Sequence, residues 1–103
     1  MKKIMLVCSA GMSTSLLVKK MEDYVKKQGL ALEIFAVSEA EMKKHEDMDL
    51  VLLGPQVRYL LSKLQVIMES KGIPVAVIES IHYGMMNGEA VVKQAMALMA
   101  QTK

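Results

Sequence analysis

Apolar and polar residues fall along this chain in blocks whose lengths switch between those of strands and those of helices. Ile4-Met5-Leu6-Val7 is wholly apolar, the pattern of a strand buried on both faces. Cys8 follows, then residues 9–15, among which only Met12 is a natural core-filler. Apolar residues return at helical spacing, at Leu17, Met21, Tyr24 and Val25. The pattern predicts strand, tight polar loop, helix, with Ser13 or Thr14 as the helix N-cap. Lys26-Lys27-Gln28-Gly29 ends that helix, with cations in the last turn and glycine after it.

The same alternation continues downstream. Residues 30–37 predict a second strand, and the charge on Glu33 suits an edge position. Ser38 and Glu41 stand at capping-box spacing for a short charged helix containing Glu39, Glu41, Lys43 and Lys44. Residues 50–53 predict a third buried strand, ended by Gly54-Pro55-Gln56. Val57, Leu60, Leu61, Leu64, Ile67 and Met68 form the apolar stripe of the next helix, which Gly72 closes. Residues 74–78 predict a fourth strand and residues 79–84 a loop or short turn. A last helix follows Asn87-Gly88, with Val91, Ala95, Leu98 and Met99 on one face.

Strands alternating with helices imply parallel pairing through right-handed crossovers. The expected fold is therefore α/β, with a four-stranded parallel sheet in the order 2-1-3-4 and helices on both faces, three layers in all. This arrangement is flavodoxin-like and similar to that of the low-molecular-weight tyrosine phosphatases. Its topological switch point lies between the first and third strands, where ligands bind at the carboxyl ends. Cys8 with its loop and Gly54-Pro55-Gln56 meet at that point.

Composition narrows the picture. With 103 residues, 52% hydrophobic and 23% charged, residues 1–103 read as a single domain able to bury its own core. A net charge of +2 without a basic, aromatic-interleaved stripe argues against nucleic acid. One cysteine permits no internal disulfide and suits a reducing compartment. The apolar run after Lys2 and Lys3 is far shorter than the ~7–15 residues of a signal core. No stretch approaches the ~20 apolar residues of a membrane span, so the expected location is the cytoplasm without membrane insertion. The eleven methionines read as adaptable core, with Met12, Met85 and Met86 beside loops.

The residues after Cys8 carry the chemistry. Gly11 and its small neighbours let backbone N–H groups converge, and the positive end of the helix dipole adds to them. Ser9, Ala10, Gly11, Met12, Ser13, Thr14 and Ser15 thus form a candidate phosphate cradle. A lone cysteine ending a buried strand is otherwise a small core hydrophobe. Thiolates, however, are favoured near helix N-termini, which makes Cys8 a candidate nucleophile beside that cradle.

Several other chemistries fail on spelling. No lysine lies between Cys8 and Val18, so there is no Walker A loop. No second cysteine completes a thioredoxin-like pair, and no cluster has metal-ligand spacing. The strand ends lack the acidic residues of a receiver domain, and few aromatic residues are available to wall a flavin. The closest competitor is the low-molecular-weight phosphatase and arsenate reductase class, whose C-x5-R loop clamps phosphate with arginine. Here that position is Thr14, and the chain's one arginine is Arg58. Such a loop accepts phosphate on sulfur but is poorly equipped to hydrolyse it, as a carrier requires.

Residues 7–17 (Val-Cys-Ser-Ala-Gly-Met-Ser-Thr-Ser-Leu-Leu), Leu53-Gly54-Pro55-Gln56-Val57-Arg58 and Tyr83-Gly84 before Gly88 resemble the enzyme IIB of the lactose/cellobiose/chitobiose type. That family belongs to the bacterial phosphoenolpyruvate-dependent sugar phosphotransferase system, and the resemblance runs the length of the chain. Asn87 stands where many relatives carry Asp. The resemblance implies a phosphotransferase component in which Cys8 is the phosphocysteine. It implies that Cys8 accepts phosphate from a phosphohistidine of enzyme IIA. The phosphate then goes to a β-linked disaccharide bound by the membrane permease, enzyme IIC, without a cofactor. Gln56, Arg58 and Tyr83 are candidates for the site wall or a partner contact, whereas His82 and His45 read as solvated surface. A phosphate-binding or phosphatase-like domain of the same fold is the alternative, and the identity of the sugar is not legible.

Overall fold

The apolar runs become four strands: β1 (Lys2–Cys8), β2 (Leu32–Ser38), β3 (Leu50–Leu53) and β4 (Val75–Val77). The structure, a computed structural model, describes residues 2–8, 13–44 and 47–101. The strands pair in parallel throughout, in the order β2-β1-β3-β4. Helices α1 (Ser13–Gln28), α2 (Leu61–Glu69), α3 (Ser80–Gly84) and α4 (Gly88–Gln101) occupy the connections and the end of the chain. Strand order, parallel pairing and the edge position of the charged β2 are as the sequence predicts.

Side-chain alternation along the strands divides the core in two. On one face Ile4, Leu6, Ile34, Leu50 and Leu52 pack with Leu17, Met21 and Val25 of α1 and Val91, Val92 and Ala95 of α4. On the other, Met5, Val7, Val37, Val51, Leu53 and Val75 pack with Val57, Leu60, Leu64 and Met68, and with Met42 and Met48. The central strands β1 and β3 are covered on both faces, which is why their sequences are continuous apolar runs rather than alternating ones. At ~25 cal/mol per Å² of apolar surface, these two layers supply the main stabilisation of the fold.

Two glycines fix how the first layer is built. Gly29 takes φ +66 after α1, and Leu30 N–H donates to the Val25 carbonyl at 2.9 Å, closing the helix with a left-handed cap. At Gly88 a Cβ would lie 2.6 Å from both the Lys20 carbonyl carbon and the Met21 nitrogen. The start of α4 therefore rests directly on the backbone of α1, and only glycine permits that approach.

Three expectations change in detail. The short charged helix is a 3-10 turn, Met42–Lys44, because Glu41 N bonds to the Ser38 carbonyl and Lys44 N to that of Glu41, both at 3.0 Å. The capping-box contact survives, with Ser38 N donating to Glu41 Oε1 at 3.4 Å. The helix after β3 is split into a 3-10 segment, Pro55–Leu60, and α2, with Val57 non-helical between its neighbours. Val57, Leu60, Leu64 and Met68 make one buried row, and Ile67, lying off that row, is 44% exposed. Residues 80–84 are helical, a segment too short for periodicity to reveal. Helix α1 is described from Ser13 onward, and the residues before it, on which the expected cap at Ser13 or Thr14 turns, lie outside the described residues.

Candidate functional site

Parallel strands send all their carboxyl ends to one edge of the sheet, and the site residues collect there. Cys8 ends β1 opposite Ser38 of β2. On its other side Gly54 N–H donates to the Val7 carbonyl at 2.9 Å, which brings the end of β3 alongside. Cys8 thus stands at the switch point between β1 and β3, where the chain departs in opposite directions across the sheet. Its side chain is only 6% exposed, and Sγ lies 3.7 Å from the Val37 carbonyl oxygen, a weak S–H contact. The thiol therefore lies folded against β2 rather than open at a rim, because the neighbouring strand offers it an acceptor.

Helix α1 starts five positions beyond Cys8. The first-turn N–H groups of a helix have no intrahelical acceptors and mark its positive end. Ser13, Thr14 and Ser15 lie in that turn, and Ser15 is exposed. Ser9, Ala10, Gly11 and Met12 of the expected cradle lie outside the described residues, as does His45.

The Gly-Pro-Gln segment forms the adjoining wall. Gly54 is extended (φ −64, ψ 150) and leads into the 3-10 segment with Pro55 at its first turn. Gln56 does not cap that segment. Its amide is folded back over Gly54, so close that a Cβ there would lie 2.6 Å from Gln56 Oε1. Gln56 Nε2 donates to the Tyr83 hydroxyl at 2.9 Å, tying the segment to α3. Of the expected wall residues, Gln56 and Tyr83 are therefore brought together. Arg58 is exposed on the same 3-10 segment. His82 is half-buried, with Nε2 3.3 Å from Glu79 Oε2.

Sequence reasoning missed several residues at this edge. The Tyr59 hydroxyl donates to Glu39 Oε1 at 2.7 Å, pinning the segment after β3 to the turn after β2. That hydrogen bond, then desolvation and the carboxylate charge, raises the Tyr59 phenol above its ordinary range. Leu16, Tyr59 and Ile81 are exposed by 49%, 67% and 63%, and Met85, which the sequence already sets beside a loop, by 73%. Each lies in or just after a segment that leaves the carboxyl end of a strand. Their signal was an apolar residue facing outward from its own helical stripe. Among the described residues, no three His, Cys, Asp or Glu side chains gather as metal ligands. Cavities of about 490 and 350 Å³ open at the opposite edge, beside the starts of β4 and of β1 and β2.

A parallel sheet of this order, with its one cysteine at the switch point ahead of a helix N-terminus, defines an α/β protein with a thiol at the edge where sheets of this kind bind ligands. Residues 3–94 match the family model described as "PTS system, Lactose/Cellobiose specific IIB subunit", and the chain belongs to that family. It is 48% identical over 102 residues to the oligo-beta-mannoside-specific EIIB component of Bacillus subtilis (strain 168), covering 96% of this chain and 97% of that protein. It is 41% identical over 104 residues to the cellobiose-specific EIIB component of Lactococcus lactis subsp. lactis, covering 95% and 96%. The solution structure of a cellobiose-specific IIB protein from Borrelia burgdorferi superposes with a TM-score of 0.81 at 41% identity, over 99% of this chain and 94% of that one. A lactose-specific IIB domain from Streptococcus pneumoniae has a TM-score of 0.84 over 94% and 96% of the two chains. At 16% identity it attests the fold alone. The chain is thus a IIB component of the sugar phosphotransferase system, a transferase by class. No helix among the described residues is long and apolar enough to cross a membrane.

Proposed function

We propose that Cys8 is the phosphoryl carrier of this IIB component, taking phosphate from a phosphohistidine of enzyme IIA and passing it to a sugar bound by enzyme IIC. The observation that carries this reading is the position of Cys8, at the switch point ahead of the N-terminus of α1. In the first transfer the sulfur forms an S–P bond while the P–N bond of the phosphohistidine breaks. The freed imidazole nitrogen takes the thiol proton. In the second, a sugar hydroxyl oxygen forms an O–P bond, the P–S bond breaks, and the sulfur recovers a proton from the hydroxyl. Backbone N–H groups of residues 9–15 hold the equatorial oxygens, and the Ser13, Thr14 and Ser15 hydroxyls add donors. Without a cofactor or a loop arginine, stabilisation rests on neutral donors and the helix dipole. That balance suits transfer in both directions over loss to water.

Residues 1–103 act as one domain in the cytoplasm, docking each partner on the Cys8 edge. The exposed Leu16, Tyr59, Ile81 and Met85 favour protein partners there, and Arg58 adds a cation for acidic groups. The substrate class is a β-linked disaccharide, a reading that the names of the oligo-beta-mannoside- and cellobiose-specific relatives favour and that of the galactose-specific one does not.

The test is intact-mass analysis and peptide mapping after incubation with phosphoenolpyruvate, the general phosphotransfer proteins and a cognate enzyme IIA. One phosphoryl group on the Cys8 peptide, dependent on enzyme IIA and absent from Cys8→Ser, is the expected result. Phosphate on His82, no phosphate, or ready hydrolysis of an aryl phosphate overturns the reading.

A further inference from the structure

We infer that Gln56 is a side-chain donor to the phosphoryl group on Cys8, held in place by Tyr83 and by the absence of a side chain at Gly54. The inference rests on the phosphocysteine reading and adds a residue to it. Three observations converge. The Gly54 N–H bond to Val7 makes Gly54 the cross-strand neighbour of the Cys8 end, at the ~4.8 Å spacing of paired strands. The Gln56 amide covers Gly54 closely enough that any Cβ there would collide with it. Tyr83 fixes the amide from α3, using one of the two Nε2 hydrogens. The second Nε2 hydrogen remains to donate.

The sides agree as well as the edge. Cys8 shares the alternation of Ile4 and Leu6, whose face of the sheet is the one Tyr83 packs against. Strand β3 lies between β1, which carries Cys8, and β4, which leads into α3. Gln56, seated over the end of β3, is therefore placed between the thiol and the tyrosine. An amide here stands in for the arginine that the phosphatase loop uses. It supplies direction without a full charge, so it holds the phosphoryl group without stabilising it strongly on sulfur.

Gln56→Glu provides the test. The glutamate keeps the shape and still accepts a hydrogen bond from the Tyr83 hydroxyl, but it replaces a donor with an anion facing the phosphoryl group. Single-turnover transfer from phosphorylated enzyme IIA to Cys8 is expected to slow by about 10–100-fold, the worth of one hydrogen bond to a charged group. Alkylation of Cys8 by the neutral reagent iodoacetamide, read on the plateau at high pH where the thiol is fully ionised, is expected to keep its rate, because no phosphate is involved. Tyr83→Phe is expected to lose about 3–10-fold in transfer, since its amide is left unfixed but still able to donate. Wild-type transfer in Gln56→Glu overturns the inference and leaves phosphocysteine standing. Proportional loss of transfer and alkylation also overturns it, making Gln56 a wall that shapes the site. Absence of phosphate on wild-type Cys8 overturns the underlying reading, and this one with it.

Discussion

At the scale of single residues, the sequence carries identity well and posture poorly. Cys8 was legible because the small, hydroxylated residues after it suit no core. Its burial against the Val37 carbonyl was not, since that acceptor comes from a strand far away in sequence. Gln56 was legible only as a candidate for the site wall or a partner contact; the fold over Gly54 and the bond to Tyr83 need the third dimension. Tyr59 yields a prediction at this scale. Its phenol is raised above 10.0 chiefly by the hydrogen bond to Glu39, so folding favours the protonated form. The contribution to stability is complete below the ordinary phenol range and fades as pH rises through the raised value. Glu39→Gln is expected to return Tyr59 towards the ordinary value, seen as a lower titration midpoint for its ring signals by NMR.

Elements were legible in proportion to their length. α1, α4 and the apolar β1 and β3 declare themselves by period, whereas α3 is shorter than two helical turns and the 3-10 segments follow local i+3 bonds. Contact between elements is a further step, illustrated by Gly88. In the sequence Asn87-Gly88 marks a turn, but in the fold Gly88 is where α4 meets the α1 backbone. Gly88→Ala is expected to lower stability by roughly 1–3 kcal/mol, because backbone cannot move aside as a side chain does. The control is Gly84→Ala, where a Cβ meets nothing within 4 Å and the change is expected to stay within about 0.5 kcal/mol. Urea denaturation of the two variants distinguishes a packing constraint from a general intolerance of alanine.

At the scale of the molecule, strand order was readable from the β/α rhythm because parallel pairing and right-handed crossovers leave few arrangements. What the rhythm does not carry is the exposure of Leu16, Tyr59, Ile81 and Met85, since these interrupt the helical pattern rather than follow it. Ile81→Asp and Met85→Glu together are expected to slow phosphoryl transfer from enzyme IIA by at least about tenfold while leaving Cys8 alkylation and thermal stability near wild type. Equal transfer in the double variant would move the docking surface elsewhere. The seat of α4 on α1 also gives the chain a schedule. The helix that starts beside the thiol is braced by a glycine eighty residues after Cys8. A nascent chain therefore carries its cysteine long before it carries the helix that braces α1.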